Sequence, residues 1–397
     1  MSAKNDPGYS DDLYVADIFL DLLEATRDGF KKDPMKLQGS ETIMQPKTSQ
    51  QSGVCSTSTD EVDSPLSINF KPIQKYLGDL SCSTECRNSI FQTCGQKEPI
   101  PIRLITHPLN KLRKIGEGAF GEVYAGQFNR NTVSRIFKIV AIEGKKFVND
   151  QKQRKFKEIQ PEIVICQELN KLRTGYNGCF TDGFVNLHNA RICRGKYPKK
   201  LMDAWKNFKN HSGCENTKPD YPYNQLYAVF EHEFCGINVC MSHFKDHRQS
   251  LSIILQVAHA LAAAEVACEF EHRDLHWGNV LIQETVNIYN VFTITGKFYR
   301  VPCCGLTSTI IDFSNSRITV DGNKIVFCDL ANDDEQFIEG PDKVQFDVYK
   351  RMKRMTRNKW DKYTPKSNVV WIHYLTTKFL EDVSYTDIGL EENKNGN

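Results

Sequence analysis

The pattern of hydrophobic and polar residues divides the chain into two differently built regions. Residues 111–142 alternate between polar and apolar side chains, which predicts β-strands, and residues 226–234 predict a further strand. Residues 160–172 carry apolar side chains at helical spacing, and the same periodicity returns over residues 250–270. Strands that come first and helices that follow predict an α+β chain with a small sheet-rich lobe and a larger helical lobe.

The first part of the chain differs from the rest in composition. It is rich in Ser, Thr and Gln, and such a segment buries too little apolar surface to offset the entropy lost on ordering. We therefore predict a flexible tail over residues 1–67 and a globular domain over residues 68–397. The sheet-rich lobe is predicted over residues 68–234 and the helical lobe over residues 235–397.

Composition and charge narrow the classes of function. The chain is 40% hydrophobic and 25% charged, as globular proteins are. Its net charge of +2 excludes binding to nucleic acid through the overall charge of the chain. It does not exclude binding through a local basic patch. The longest largely apolar run, residues 257–270, is shorter than the roughly 20 residues of a membrane span. The amino terminus has no apolar stretch of signal-peptide type, so we expect an intracellular protein without membrane contact.

The 14 cysteines contain no CxxC pair, which favours reduced thiols over a disulfide framework or a zinc site.

A glycine-rich segment, GEGAFGEV, occupies residues 116–123. The GxGxxG spacing alone fits a dinucleotide site or a simple turn. A dinucleotide-binding loop must run into a helix, whereas strand-forming residues follow here. That order is typical of the loop that covers the ATP phosphates in protein kinases. The nucleotide-binding residues predicted from it are Ile115, Gly116, Glu117, Gly118, Ala119, Phe120, Gly121 and Val123.

A lysine on the next predicted strand is the candidate partner of the phosphates. Lys138 is flanked on both sides by apolar residues, which predicts a buried approach to a phosphate. Such a lysine needs an acidic partner to orient it, and Glu162 on the predicted helix is the candidate. The alternatives are Lys145 and Lys146 for the lysine, and Glu158 and Glu168 for the glutamate.

The most specific signal is the segment HRDLHWGN at residues 272–279, which matches the pattern HRDxxxxN. In this pattern Asp274 accepts the proton of an incoming hydroxyl and Asn279 holds a magnesium ion. His276 stands where many serine/threonine kinases carry a lysine, and we include it in the predicted catalytic set with Asp274, Lys138 and Glu162.

A second aspartate completes the predicted metal site. The segment IIDFS at residues 310–314 is an apolar strand that ends in Asp312, with Ser314 where kinases usually have glycine. Asp312 and Asn279 are oxygen ligands of the kind that Mg²⁺ prefers, and both are also predicted to contact the nucleotide. The order of glycine loop, lysine, glutamate, HRD, asparagine and aspartate predicts phosphoryl transfer from ATP.

The chain resembles the haspin family of atypical serine/threonine protein kinases. The resemblance covers the chain from about residue 70 to the end, and His276 with Trp277 is its most characteristic pair. It is carried by HRDLHWGNVLI at 272–282, IIDFSNSRI at 310–318, VFCDL at 326–330, QFDVYKRM at 345–352 and SNVVWIHYLTTKFL at 367–380.

The resemblance implies a bilobal kinase fold that uses ATP and Mg²⁺. It further implies phosphorylation of a threonine near the start of a histone tail, in mitotic or meiotic chromatin. We therefore expect a monomer in the nucleus, on chromosomes, with the cytoplasm as a second compartment, and a histone tail or another basic protein as partner.

The resemblance also places the hinge between the lobes at residues 232–238. Glu233, Cys235 and Asn238 are then expected to contact the nucleotide. The family tends to have Phe where this chain has His232, and Asp where it has Asn238. An inserted hairpin is predicted at residues 287–302, as in the family.

Two charged runs follow Asp312. The first is acidic, and in this place it is predicted to attract a basic tail, with a merely solvated face as the alternative. The second is basic and is predicted to be the solvated face of a helix, with a nucleic-acid or nucleosome contact as the alternative. The acidic run comprises Asp321, Asp329, Asp333, Asp334, Glu335, Glu339 and Asp342, and the basic run comprises Lys350, Arg351, Lys353, Arg354, Arg357 and Lys359.

Two other classes of function compete with a protein kinase. The first is a pseudokinase that acts as a binding or scaffold protein, against which the presence of Lys138, Asp274, Asn279 and Asp312 argues. The second is a small-molecule kinase, against which the complete HRD motif and the haspin-like segments argue.

Overall fold

The computed structural model describes residues 84–128, 134–331, 337 and 342–386. These residues belong to one compact unit. The tail predicted over residues 1–67 lies outside the described residues and stays a prediction.

The amino-terminal lobe is built on one six-stranded sheet with the strand order β1-β5-β6-β4-β3-β2. Its strands are β1 (Ile100–Pro101), β2 (Asn110–Gly118), β3 (Gly121–Gln127), β4 (Arg135–Ile142), β5 (Leu187–Arg194) and β6 (Leu226–Glu233). All neighbours are antiparallel except β1 and β5. The helices of this lobe are α1 (Thr84–Thr93), α2 (Arg103–Thr106), α3 (Phe156–Lys171) and α4 (Lys199–Ser212).

The predicted strands and the first predicted helix are present. Helix α3 begins before residue 160, where the apolar periodicity first becomes visible. Glu158 accepts a hydrogen bond from the backbone amide of Lys155 at 2.6 Å, and Glu143 accepts one from Phe156 at 2.6 Å. These carboxylates satisfy amides that a helix start leaves without partners. Because Lys155 is not a typical capping residue, the sequence does not mark this boundary.

The carboxy-terminal lobe is mainly helical, which confirms the expected two-lobed α+β fold. Its helices are α5 (His247–Cys268), α6 (Lys343–Thr356) and α7 (Lys366–Glu381). Its short strands are β7 (Ile237–Asn238), β8 (Val280–Glu284), β9 (Tyr289–Ile294), β10 (Lys297–Pro302), β11 (Leu306–Ile310), β12 (Arg317–Val320) and β13 (Lys324–Phe327). Strands β9 and β10 pair as the hairpin that was predicted at residues 287–302.

Helix α5 is the core of this lobe. It is longer than the apolar run over residues 257–270, because polar residues in its first half are buried with partners. Gln256 donates to the carbonyl of Leu306 at 3.0 Å, and Ser252 donates to that of Pro302 at 2.5 Å. By length and composition alone α5 could cross a membrane, but 89% of its most apolar window is buried inside the protein, as in a core helix.

Buried polar side chains fix the segment between α5 and β8. Asn368 of α7 accepts a hydrogen bond from the amide of His272 at 3.0 Å and donates to Glu265 at 2.8 Å. Arg273 and Glu271 form an ion pair of 3.0 Å, and neither side chain is exposed. Arg273 also donates to the carbonyl of Trp360 at 2.8 Å. The HRD segment is therefore held by side chains and carbonyls that come from elsewhere in the lobe.

Removing one partner of this buried pair tests that conclusion. We expect Glu271→Ala to lower the free energy of unfolding by about 3–5 kcal/mol, because it leaves the Arg273 guanidinium buried without its counter-charge. Urea denaturation measures the change. The control is Lys362→Ala, which removes an exposed ion pair with Asp361 at 3.4 Å and should cost at most about 1 kcal/mol. Equal losses in the two variants would contradict the expectation.

Candidate active site

The glycine-rich segment forms the tight end of the β2–β3 hairpin. Gly116 faces Val123 across the two strands, and Gly118 faces Gly121. A side chain at Gly121 would meet the carbonyl oxygen of Ile139 at 2.3 Å, whereas the space around Gly118 is open. Gly121 is therefore required by sheet packing. A side chain at Gly118 would meet no such contact, and the carbonyl of Gly118 accepts a hydrogen bond from the Asn216 side chain at 3.2 Å.

Two side chains of this loop contact residues outside the hairpin. The Glu117 carboxylate pairs with Lys114, accepts from the amide of Glu215 at 2.8 Å and contacts the Cys214 thiol at 2.9 Å. The Phe120 ring lies 4.1 Å from the guanidinium of Arg154. Their side chains thus hold the hairpin in place, and the predicted nucleotide contact of Glu117 can come only from its backbone.

Lys138 of the amino-terminal lobe forms an ion pair with Asp312 of the carboxy-terminal lobe. It lies on β4 directly opposite Val123 of β3, under the glycine hairpin. Its ammonium is 2.7 Å from Oε1 of Glu162 and 3.1 Å from Oδ1 of Asp312. Burial alone would lower the pKa of Lys138, but the charges of Asp312 and Glu162 outweigh it and raise the pKa above its ordinary value. Among the rival candidates, Lys146 pairs instead with Asp220.

Asp312 is positioned by its backbone and by the aromatic residue that follows it. Its φ of +61° turns the chain sharply after β11. Phe313 packs edge-on against Phe184 and Phe270, with ring centroids 6.0 and 6.1 Å away. Burial alone would raise the pKa of Asp312, but Lys138 outweighs it, so that the pKa falls well below its usual range and the carboxyl is ionised.

Asp274 has donors on both of its carboxylate oxygens. Asn315 donates to Oδ2 at 3.2 Å, and the Tyr349 hydroxyl donates to Oδ1. Neither residue is among the site residues predicted from the sequence. Asn315 lies three positions after Asp312 in IIDFSNSRI, and Tyr349 lies in QFDVYKRM, so both belong to segments that carry the resemblance to haspins.

Asn279 and Asp312 offer a donor set that suits Mg²⁺. The amide nitrogen of Asn279 donates to the backbone carbonyl of Asp274 at 2.8 Å, which leaves its side-chain oxygen for a cation. The second ligand is the ionised carboxylate of Asp312. Mg²⁺ is commonly held by one or two such groups together with substrate phosphates. Within the described residues no cluster of three or more His, Cys, Asp or Glu could hold a metal by itself, and every cysteine there is a free thiol.

His276 presents one defined nitrogen to the site. Its Nδ1 accepts a hydrogen bond from the amide of Gly278 at 3.1 Å. An imidazole whose Nδ1 accepts a hydrogen bond carries its proton on Nε2, which can donate one. The lysine that many kinases have here is thus replaced by a shorter hydrogen-bond donor.

Some polar groups of the hinge residues are already bound within the protein, whereas others can still bind a ligand. The Glu233 carboxylate accepts from the amide of Asn186 at 2.9 Å and pairs with Arg173 at 3.1 Å, so this side chain is already bound within the protein. The backbone amide of Glu233 also donates to the carbonyl of Asn186 at 3.1 Å. Cys235 is buried. Asn238 donates to the carbonyl of Gly278 at 2.5 Å, which leaves its side-chain oxygen as an acceptor.

His232, the position where the family tends to have Phe, is neutral in the folded protein. Burial, followed by the charge of Lys138, lowers its pKa to about 4. Its ring is stacked on that of Phe230, with an interplanar angle of 5°.

The two charged runs are only partly within the described residues. Asp333, Asp334, Glu335 and Glu339 lie outside them. Asp342 caps α6 by accepting from the amide of Gln345 at 3.1 Å, and it also pairs with Lys378 at 3.0 Å. The basic run lies on α6 and just after it, where Lys353 lies 4.3 Å from the ring of Phe337.

The geometry of the site agrees with the comparison to known families. The family model described as "Haspin like kinase domain" matches residues 29–394. This chain belongs to the haspin kinase family.

Individual haspin relatives match over three quarters of the chain. The serine/threonine-protein kinase haspin of Bos taurus is 39% identical over 308 residues, which is 76% of this chain and 39% of that protein. The haspin of Mus musculus is 38% identical over 75% of this chain and 39% of its own length. The haspin homolog of Drosophila melanogaster is 34% identical over 78% of this chain and 56% of its length. The chain thus matches about two fifths of the length of the mammalian relatives.

The pKa of Asp274 predicts how the rate of a reaction at this site depends on pH. Burial raises the pKa of Asp274 to about 6, although His276 and Tyr349 partly oppose the shift. A base must be unprotonated, so we expect kcat/KM to be constant at higher pH and to fall tenfold per pH unit below about 6.

Initial rates between pH 5 and pH 8 measure this dependence. Enzyme that is held at pH 5 and assayed again at pH 7.5 should regain full activity, which separates protonation from unfolding. A rate that stays constant down to pH 5 would contradict the assignment.

Proposed function

We propose that this haspin-family chain is an ATP- and Mg²⁺-dependent protein serine/threonine kinase. The observation that carries the proposal is the Lys138 ammonium held by Glu162 and Asp312 at 2.7 and 3.1 Å, beside Asp274 and Asn279. Protein kinases use this set to position a phosphate chain and a hydroxyl.

Each side chain has a defined task in the proposed reaction. Asp274 accepts the proton of the attacking hydroxyl, and Lys138 binds the phosphates. His276 donates from Nε2 toward the transferred phosphoryl group. Asn279 and Asp312 would hold Mg²⁺, which when bound offsets the negative charge of the phosphates. The protein does no covalent chemistry of its own, so its contribution is position and charge.

The proposed substrate is a threonine in a basic histone amino-terminal tail, in mitotic or meiotic chromatin. Family membership supports this proposal, as do the acidic residues between Asp312 and Asp347. A nuclear location on chromosomes, with the cytoplasm as a second compartment, follows from the same proposal. We also propose that the enzyme is a monomer and does not contact a membrane.

A pseudokinase that acts as a scaffold is the second candidate, and one observation favours it. Asn238 and His232 replace the Asp and Phe that the family tends to have at the nucleotide site, and Asn238 is bound to Gly278. This candidate predicts no transfer of phosphate under any conditions, whereas the kinase predicts transfer that depends on Asp274.

The substitution Asp274→Asn tests the proposal. It preserves the size of the side chain and removes the base, so we expect kcat to fall by about 10²–10⁴ while ATP binding persists. Radiolabelled ATP with Mg²⁺ and a panel of histones, casein and free tails measures the transfer, and a fluorescent nucleotide measures binding. Equal transfer by the wild type and by Asp274→Asn would overturn the proposal.

A second experiment tests the preference for a basic tail. Exposed charges are screened beyond about 8 Å at physiological salt, so the KM for a basic peptide should rise with salt concentration while kcat changes little. Replacing Asp333, Asp334 and Glu335 together by Ala should also raise that KM and leave the KM for ATP unchanged.

The matched control for this triple variant removes the same number of acidic charges elsewhere. Glu85, Glu98 and Asp203 are exposed on the amino-terminal lobe, and their replacement by Ala should leave both KM values unchanged. If the triple variant of the acidic run used the basic tail as well as the wild type does at low salt, that run would be only a solvated face.

A further inference from the structure

Helix α6 carries one side chain that reaches the base of the proposed reaction. Tyr349 is 3% exposed, and its hydroxyl donates a hydrogen bond to Oδ1 of Asp274. The two residues are 75 positions apart in the sequence, so the contact exists only in the folded chain. The nucleotide-binding motifs of the sequence do not include Tyr349.

The Tyr349 ring is fixed by its neighbours. It packs edge-on against Trp371 of α7 with ring centroids 5.3 Å apart, and against Phe346 at 5.8 Å. Gln345 donates to the Tyr349 hydroxyl at 2.9 Å, which directs the hydroxyl proton toward Asp274. The backbone amide of Gln345 donates to the carboxylate of Asp342 at 3.1 Å, which fixes Gln345 at the start of α6. The hydroxyl is therefore held by contacts that do not depend on Asp274.

We propose that Tyr349 is a positioning residue, whose hydroxyl fixes the Asp274 carboxylate in the orientation that accepts the proton of the substrate hydroxyl. Asn315 holds the other oxygen at 3.2 Å, so the two donors together prevent rotation of the carboxylate. The inference rests on the proposed kinase function and adds a residue that this function does not itself identify.

The hydrogen bond from Tyr349 does not prevent Asp274 from accepting the proton of the substrate hydroxyl. A carboxylate offers about four acceptor positions, and Tyr349 and Asn315 use one each. Tyr349 is the donor of this hydrogen bond and Asp274 is the acceptor. Asp274 therefore keeps acceptor positions for the substrate hydroxyl, and its direction is set before the substrate arrives.

The test uses Tyr349→Phe in the full chain, because this change keeps the ring packing and removes only the hydroxyl. We expect kcat for a threonine peptide with Mg²⁺ and ATP to fall about tenfold to a hundredfold, since a misplaced catalytic group costs up to about 10² in rate. The KM values for ATP and for the peptide should change by less than about twofold.

Two comparisons separate positioning from a general structural effect. The control is Tyr227→Phe, which also removes a hydroxyl from a buried tyrosine, but one that has no hydrogen-bond partner among the described residues. We expect it to keep the kcat of the wild type. In an Asp274→Asn background, Tyr349→Phe should cause no further loss, because the group that it orients is already gone.

Each possible result supports or overturns the positioning role of Tyr349. An active wild type whose Tyr349→Phe variant keeps or raises kcat overturns the positioning role and leaves the kinase function standing. An equal loss in the Asp274→Asn background also overturns it, because the loss would then not act through the base. A wild type that transfers no phosphate to any substrate overturns the proposed function, and the positioning role with it.

Discussion

The site depends on one partly buried cation, the ammonium of Lys138, which is shared between two carboxylates. Lys138 comes from a strand of the amino-terminal sheet, Glu162 from α3 and Asp312 from the turn after β11. Separating the three would leave charges in a poorly solvated region without partners, which is costly. The distance between the sheet and the turn is therefore fixed by electrostatics, and with it the place where a phosphate chain can lie.

The carboxy-terminal side of this arrangement is fixed by packing and by buried amides. Phe313 anchors Asp312 among aromatic rings, and His272 packs against Phe313 with ring centroids 5.8 Å apart. His272 is tied through its amide to Asn368, and through its Nε2 to the carbonyl of Ile311 at 3.0 Å. The segments of Asp274 and Asp312 therefore hold each other, although the two residues are far apart in the sequence.

Much of this could be predicted from the sequence, because the relevant signals are local. The glycine hairpin, the strand of Lys138 and the HRD segment each combine a periodicity with a specific motif. The contacts to Asp274 could not be predicted, since Tyr349 reaches it across 75 residues and only the packing of α6 against α7 brings the two together. The same holds for Glu117, whose motif indicated a nucleotide contact while its carboxylate is bound by residues near the end of α4.

The balance of charge at the site supports the proposed use of a triphosphate together with a divalent cation. Lys138 pairs with the carboxylates of Glu162 and Asp312, so these three groups carry one excess negative charge when ionised. The carboxylate of Asp274 adds another negative charge, which Arg154 partly offsets. A bound triphosphate would add more negative charge, and His276 stands where many kinases carry a lysine. In the proposed function, a divalent cation held by Asp312 and Asn279 would supply the positive charge that offsets the phosphates.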